Sequence, residues 1–304
     1  MDKNTSIWYN GNIINWDDAK VHVMSHVLHY GSGVFEGIKC YETENGKSIF
    51  RLTEHVQRLK QSGNLYSMDI PYSEDELIQG CIDIIKLSET GDSYIRPIAF
   101  YGYDTLGVNP KNCPVNVAIA TFYWGAYLGD GALEKGVRTT ISPWKKFSIN
   151  SMPAIAKGSG HYLNSMLAVT DAKKRGFDEA ILMNEDGFIA EGSGQNIFIV
   201  KNGKIYTNDE KSSILLGITR DSLIQICSNI GIDVIIENLT MDSLLNADEV
   251  FFSGTASEVT PVCSVDEHTI GNGFPGQTTL KLQEIYMDIV RGNNDSYNNW
   301  LTII

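Results

Sequence analysis

One lysine stands among small and apolar residues that can change the chemistry of its amine. Lys157 lies in the run AIAKGSGHY, residues 154–162. Such neighbours can hold water away from an ammonium group, which lowers its pKa and frees the neutral amine to act as a nucleophile or a base. A surface lysine beside a glycine turn has the same local sequence, and this run alone favours that ordinary interpretation.

A carboxylate and a hydroxyl-rich loop are two further candidates. Glu191 follows a predicted strand and precedes the turn Gly192-Ser193-Gly194, where the backbone can approach a ligand closely. The segment 253–258 follows an apolar strand and offers hydroxyl groups and accessible backbone amides. A solvated glutamate in an ordinary turn, and a plain tight loop, explain the same residues in isolation.

A predicted helix start is the fourth candidate. In the segment 215–221, Gly217 permits a sharp turn and Thr219 can cap the helix that follows. The unpaired N–H groups of a first helical turn attract anions. A plain capped helix has the same pattern, so the segment alone does not separate the two interpretations.

The elements that must hold these segments form a mixed α+β pattern. Asn10-Gly11 predicts a hairpin turn between two short strands. A helix is expected to begin at Thr53, and Ser73 with Glu76 forms a capping box before the next helix. Several antiparallel hairpins stand where a doubly wound fold would alternate strands and helices, so we predict an α+β fold.

Two glycine-rich nucleotide motifs can be rejected. The run Gly31-x-Gly33-x-x-x-Gly37 is close to a dinucleotide fingerprint, but its third spacing is wrong and β-like residues follow it. Lys157 precedes its glycines, whereas the lysine of a phosphate-binding P-loop follows them. Neither nucleotide-binding fold is therefore expected.

A glycine-rich segment suggests two domains. Residues 125–136 contain four glycines and few β-branched residues. We therefore predict a smaller α/β domain over residues 1–124, an interdomain linker over 125–136, and a larger β-rich domain over 137–304.

The composition restricts partners and compartment. The chain has 304 residues and a net charge of −13, which argues against nucleic acid or an anionic membrane as the main partner. Its five cysteines are scattered without a C-x-x-C pair, so we expect no disulfide framework and no metal site. No apolar run approaches the roughly 18 residues of a membrane span, and no signal-like apolar region begins the chain. A cytoplasmic protein is expected.

Taken together and in order, the candidate segments resemble the class IV, or fold-type IV, aminotransferases, and within them the branched-chain amino acid aminotransferases. The resemblance runs from about Trp8 to past Pro261. The runs that carry it are HVLHYGSGVFEGIKCY (26–41), EHVQRL (54–59), YIRP (94–97), GVNP (107–110), FYWGAYLG (122–129), AKGSGHYLNS (156–165), EGSGQNIF (191–198), GITRD (217–221) and ADEVFFSGTASEVTPV (247–262).

The resemblance implies a two-domain enzyme with a β-rich pseudo-barrel as its larger domain and pyridoxal 5′-phosphate (PLP) as its cofactor. It implies that Lys157 forms a Schiff base with PLP and moves protons in the reaction, that Glu191 faces the pyridine nitrogen, and that Tyr162 bonds the 3′-oxygen. It places the phosphate among Arg58, Leu216, Gly217, the amides of Ile218 and Thr219, and the hydroxyl groups of Thr219 and Thr255.

The resemblance also implies a substrate pocket and a reaction. An apolar wall would be formed by Tyr30, Phe35, Tyr94, Trp124 and Tyr127. The α-carboxylate would meet Tyr94 and the amides of Thr255 and Ala256, and Arg96 would meet the side-chain carboxylate of glutamate. The reaction would be a reversible ping-pong transfer between L-leucine, L-isoleucine or L-valine and 2-oxoglutarate, at the last step of biosynthesis or the first of degradation. Amino acids and 2-oxo acids would be the small-molecule partners, and the protein would form a homodimer, or a higher homo-oligomer, whose sites borrow a loop from the neighbour.

Two other functions are compatible with parts of the pattern. A D-amino-acid transaminase or an aminodeoxychorismate lyase of the same fold shares the lysine and the glutamate, but the runs HYGSGVFEG and YIRP favour the branched-chain enzyme. A non-catalytic anion-binding module is the more remote alternative. Gln195 stands where close relatives often carry glutamate, and we expect little effect from this difference.

Overall fold

The computed structural model describes residues 6–125 and 127–304. By its internal contacts the chain divides into two compact units. The first comprises Met1–Gly125, Ala156–Tyr162 and Asp288–Ile304, and the second comprises Ala126–Ile155 and Leu163–Met287. The first unit thus includes two segments from the range that the sequence assigned to the larger domain.

The first unit contains a sheet in which every pairing is antiparallel. Its elements are β1 (Ser6–Tyr9), β2 (Asn12–Asn15), α1 (His26–Tyr30), β3 (Gly33–Phe35), β4 (Ile38–Thr43), β5 (Gly46–Phe50), α2 (Leu52–Leu65), α3 (Glu74–Lys86), β6 (Ser93–Tyr101), β7 (Val115–Phe122) and a C-terminal strand, Leu301–Ile303. The strand order is C-terminal strand, β5, β4, β6, β7, β1, β2, and β3 pairs separately with β6.

Local sequence explains several element boundaries in this unit. Asn10 and Gly11 both adopt positive φ, as a two-residue hairpin turn requires, so the predicted first hairpin is confirmed. The predicted capping box is confirmed as well, because the Ser73 and Glu76 side chains each accept from the other residue's backbone N–H.

The start of α2 differs from the prediction. The helix begins at Leu52, so Thr53 is not its N-cap. The residue before it, Arg51, has a φ of 49° and supplies no side-chain cap. Its N–H donates instead to the carbonyl of Trp300 at 2.7 Å, and its Nε to Glu54 at 2.6 Å. A partner from the far end of the chain sets this helix start.

Helices α2 and α3 contribute apolar side chains to the core of the first unit. Leu59, Ile84, Ile95 and Ile119 are all fully buried in one cluster. This packing fixes the position of α2, and so it also fixes the side chains on the other faces of that helix.

The second unit contains a larger sheet with mixed pairing. Its elements are α4 (Ala132–Lys135), β8 (Val137–Ile141), α5 (Tyr162–Lys174, whose first residue belongs to the first unit), β9 (Glu179–Met183), β10 (Ile189–Gly192), β11 (Asn196–Lys201), β12 (Lys204–Thr207), α6 (Ile218–Asn229), β13 (Val234–Ile236), α7 (Met241–Leu245), β14 (Glu249–Gly254), β15 (Glu258–Val265), β16 (His268–Thr269) and α8 (Gln277–Val290, which ends in the first unit). The strand order is β10, β9, β8, β15, β14, β11, β12, β13, with β16 on β15.

The two mixed sets of helices and sheets confirm the predicted α+β class. Pairings of β8 with β9 and β15, and of β12 with β13, are parallel, whereas the other pairings of the second sheet are antiparallel. The short helix α4 lies inside the segment predicted as a linker. No helix among the described residues is both long and apolar enough to cross a membrane.

Candidate active site

The backbone around Lys157 is held tightly within the first unit. Its carbonyl accepts from the N–H of Phe35 at 3.0 Å, and its own N–H donates to Oγ of Ser62 at 3.0 Å. Glycine residues allow two backbone segments to approach each other closely at this point. A Cβ on Gly31, where φ is +65°, would lie 2.9 Å from Cα of Gly160. The glycine-rich run therefore brings strand β3 and the lysine together.

The side chain of Lys157 is partly withdrawn from water, and its amine is hydrogen-bonded. Its Nζ donates to the hydroxyl of Tyr162 at 2.8 Å and lies 5.1 Å from the centre of the Phe35 ring. Burial, together with the nearby guanidinium of Arg58, lowers the pKa of Lys157 to about 8. The interpretation of Lys157 as an ordinary surface lysine is therefore wrong.

Beside this amine, a buried carboxylate binds the predicted phosphate arginine. Glu36 is fully buried and accepts from Arg58 through Nε at 2.6 Å and Nη2 at 2.9 Å. It also accepts from Nδ1 of His55 at 2.7 Å and from the N–H of Gly37 at 3.2 Å. Burial alone would raise the pKa of Glu36, but the charge of Arg58 and the hydrogen bonds from His55 and Arg58 hold it well below its usual value.

Sequence reasoning did not single out Glu36 or His55. Two signals were present: a charged residue inside the apolar, strand-like run VFEGI, and a histidine three residues before Arg58 on one face of α2. Their hydrogen bonds show that α2 presents both side chains to Glu36, which lies in the short connection between β3 and β4.

Aromatic rings surround the guanidinium of Arg96. Its central carbon lies 4.8 Å from the ring centre of Phe35, 5.3 Å from that of Tyr94 and 5.6 Å from that of Trp124. Its Nε is buried and has no hydrogen-bond partner among the described residues. A cation with an unsatisfied donor, set among apolar rings, is suited to an anionic group on an otherwise apolar ligand.

Of the five predicted wall residues, the structure brings three together. Phe35, Tyr94 and Trp124 share the cluster around Arg96. Tyr30 is largely exposed, and its hydroxyl donates to the carbonyl of Leu106 at 2.7 Å. Tyr127 belongs to the second unit and has its hydroxyl beside Gly194.

Glu191 is the centre of a second cluster, within the second unit. Its Oε1 accepts from Nζ of Lys146 at 2.5 Å, and its Oε2 accepts from the N–H of Leu215 at 3.2 Å and from Nδ2 of Asn196 at 3.3 Å. The side chain is buried, so the interpretation as a solvated turn residue is wrong. An ionised carboxylate can accept about four hydrogen bonds, so three donors leave capacity for one more.

The predicted anion site lies at the start of α6. The N-cap is Gly217, with no side-chain cap, so Thr219 does not cap the helix as predicted. A Cβ on Gly217 would overlap Oδ1 of Asn196, which accepts the N–H of Gly217 at 3.1 Å. Only glycine allows this close approach. Thr219 is buried in the first turn of the helix. The first-turn amides of Ile218 and Thr219 have no acceptor within the helix.

The remaining predicted residues flank these groups in the second unit. Leu216 precedes the start of α6, and Thr255 and Ala256 lie in the turn between β14 and β15. Glu258, which ends this turn, has a φ of 51°, a left-handed conformation that is uncommon outside glycine.

Gln195 has a larger structural role than its sequence suggested. Its Nε2 donates to Oε2 of the buried Glu179 at 3.1 Å, and its Oε1 accepts the N–H of Gly194 at 3.1 Å. Burial raises the pKa of Glu179. The glutamine amide therefore links the turn after Glu191 to strand β9.

Both clusters fit the chemistry of PLP. The first holds an amine that is partly neutral near pH 8, with a phenol at hydrogen-bond distance. The second holds a carboxylate with spare acceptor capacity and a glycine-capped helix start suited to a phosphate group. No group of three or more His, Cys, Asp or Glu side chains among the described residues could hold a metal ion.

Comparisons with known proteins agree on one family. Residues 33–265 match the family model described as amino-transferase class IV. A branched-chain-amino-acid aminotransferase of Salmonella typhimurium is 44% identical over 296 residues, which cover 97% of this chain and 96% of the relative. The crystal structure of the Escherichia coli branched-chain amino acid aminotransferase has a TM-score of 0.96 at 44% identity and covers 98% of this chain and 99% of that one. The branched-chain amino acid aminotransferase of T.th. complexed with N-(5′-phosphopyridoxyl)-L-glutamate has a TM-score of 0.95 at 45% identity and covers 100% of this chain and 99% of that one.

Proposed function

The chain belongs to the class IV aminotransferases, and we propose that Lys157 is the amine that joins PLP. The predicted family, fold type and cofactor are confirmed, and the protein is a PLP-dependent branched-chain amino acid transaminase. The assignment of Lys157 is supported by one observation above all. Its partly buried amine has a pKa lowered to about 8 and a hydrogen bond of 2.8 Å to Tyr162. A lysine in this state is a nucleophile near neutral pH.

The side chains of the first cluster handle protons. PLP, when bound, supplies an aldehyde that holds the substrate nitrogen and a ring that withdraws electrons from Cα. We propose that Lys157, once displaced by substrate, takes the proton from Cα and delivers it to C4′. Tyr162 holds the 3′-oxygen and keeps the amine oriented through their hydrogen bond.

The second cluster offers groups for the ring nitrogen and the phosphate of PLP. We propose that Glu191 accepts the N–H of the ring nitrogen with its remaining acceptor capacity. We propose that the amides of Ile218 and Thr219, with the hydroxyl groups of Thr219 and Thr255, bind the phosphate. A helix start without a side-chain cap is suited to this role because its N–H groups need an acceptor.

The aromatic enclosure of Arg96 explains how two unlike substrates can be accepted. We propose that Phe35, Tyr94 and Trp124 pack against a branched side chain, and that Arg96 binds the side-chain carboxylate when glutamate or 2-oxoglutarate takes its place. The buried, unpaired Nε supports this, because an anionic substrate would satisfy it.

The preferred substrate can be tested directly. We expect L-leucine to bleach the visible absorbance of the PLP-loaded protein, and a coupled assay to show turnover of L-leucine with 2-oxoglutarate. Faster turnover of D-alanine than of L-leucine would assign the chain to the D-amino-acid branch instead. A protein that stays colourless in the presence of PLP would exclude the enzyme altogether.

We also propose that the protein forms a homodimer. Helix α1, the segment just before it and the loop around residues 103–108 expose a set of large apolar side chains: Val23 (70% exposed), Leu28 (58%), Tyr30, Tyr103, Leu106 and Val108 (77%). His26 and Tyr30 connect α1 to that loop through hydrogen bonds to backbone carbonyls of residues 106–108. An apolar surface of this kind is typical of an interface.

Light scattering on the size-separated protein tests the dimer. We expect the parent to have the mass of two chains and Val108→Asp to shift toward one, because the charge would be buried in the interface. A monomeric parent at micromolar concentration would refute the proposal.

We further propose that the protein is cytoplasmic. All five cysteines are buried and unpaired, as expected in a reducing compartment. Cell fractionation followed by immunodetection tests this, and recovery from a secreted or membrane fraction would contradict it.

A further inference from the structure

Lys146 is a buried lysine that the reaction described above does not use. Its side chain and that of Glu191 are each 8% exposed, and Nζ lies 2.5 Å from Oε1. The backbone N–H of Lys146 donates to the carbonyl of Met183 at 2.8 Å, which holds the loop at this point. Little solvent screens a pair in this position, so the ammonium acts strongly on the carboxylate.

The other donors to Glu191 differ from Lys146 in charge. The N–H of Leu215 and the amide of Asn196 bind Oε2, and both are neutral. Asn196 is itself held in place, because its amide also donates to the carbonyl of Leu215 at 2.8 Å. Neutral donors orient a carboxylate, whereas a cation also compensates its negative charge.

We propose that Lys146 is a positioning residue that keeps the proton shared between Glu191 and the cofactor ring on the ring nitrogen. This inference rests on the role proposed above for Glu191. A proton between a carboxylate and a pyridine nitrogen resides on the stronger base. An ammonium in direct contact with the carboxylate favours the arrangement in which the carboxylate keeps its negative charge and the proton stays on the ring. Without that charge the proton moves toward Glu191, and the ring loses the positive charge with which it withdraws electrons.

The position of the proton can be observed without measuring activity. The protein is loaded with PLP that carries ¹⁵N at the ring nitrogen, and the ¹⁵N resonance is recorded. For Lys146→Met we expect the resonance to move toward that of an unprotonated pyridine. We expect kcat to fall about tenfold or more, because a ring without its positive charge withdraws electrons less strongly.

Three further variants separate charge from other effects. Lys146→Arg keeps the cation and should retain the parent resonance. Lys146→Gln keeps a hydrogen-bond donor without the charge, so it should resemble Lys146→Met. It replaces Lys146→Met in the measurement if that variant folds poorly. Lys145→Met removes the neighbouring exposed lysine, whose Nζ donates only to the carbonyl of Glu185 at 3.2 Å, and should leave both readouts unchanged.

Two outcomes would overturn two different claims. A parent resonance in both Lys146→Met and Lys146→Gln would refute the role of Lys146, even if kcat fell, because the charge would then not control the proton. An unprotonated ring nitrogen in the parent protein would instead refute the role of Glu191 on which the inference rests.

Discussion

Lys157 is an amine whose surroundings oppose its charge. Burial is the main cause of its lowered pKa, and the guanidinium of Arg58 adds to it. Glu36 acts in the opposite direction, but Arg58 neutralises that carboxylate through two hydrogen bonds. Near neutral pH a larger share of this amine is therefore neutral than in an ordinary lysine, and the neutral form is the one that attacks an aldehyde.

The rate at which PLP-free protein takes up PLP should follow the titration of Lys157. We expect the rate to rise about tenfold per pH unit below the pKa of about 8 and to level off above it, because only the neutral amine reacts. Stopped-flow absorbance over a range of pH measures this rate. A rate that keeps rising to about pH 10, as for an unperturbed lysine, would contradict the lowered pKa.

Removal of the Glu36 charge should destabilise the folded protein. In Glu36→Gln, Arg58 loses its buried partner, and the free energy of unfolding should fall by about 3–5 kcal/mol, the usual effect of breaking a buried ion pair. Denaturant titration measures the loss. The control is Asp171→Asn, which breaks a partly exposed pair with Arg175 and should change stability by less than about 1 kcal/mol. Equal losses in the two variants would refute the special role of Glu36.

The secondary structure elements show which features are local in sequence. The Asn10-Gly11 hairpin and the Ser73 capping box were predictable, because the residues that determine them lie within a few positions. The start of α2 was not, because Arg51 bonds Trp300 from the other end of the chain. At α6, glycine replaces the expected threonine cap, and only the overlap with Asn196 explains why.

The glycine cap of α6 should be essential for phosphate binding. In Gly217→Ala the new methyl group would overlap Oδ1 of Asn196 and displace the helix start. We expect the affinity for PLP to fall about tenfold or more, since misplaced N–H groups lose their hydrogen bonds to the phosphate. Fluorescence titration with PLP measures the affinity. Gly125→Ala, where a Cβ would make only ordinary contacts at 3.5 Å or more, is the control. Unchanged affinity in Gly217→Ala would refute the phosphate site.

For the whole molecule, the order of short motifs along the chain was enough to identify the family and the fold. Each motif is contiguous, so it can be read without knowing which segments meet. The partners of the site residues were not predictable in this way. Glu36 and Arg58 are 22 positions apart, and Lys146 and Glu191 are 45 apart. Local patterns do not encode such pairs, which is why the charges that adjust the chemistry were found only in the structure.

The most direct test of the account is to locate the cofactor covalently. Reduction of the PLP-loaded protein with borohydride, followed by peptide mapping, identifies the lysine that carries the pyridoxyl group. The pyridoxyl group should be on Lys157 alone, because its partly buried and partly neutral amine is hydrogen-bonded to Tyr162. A pyridoxyl group on the buried lysine Lys146, on any further lysine, or on none, would contradict the account.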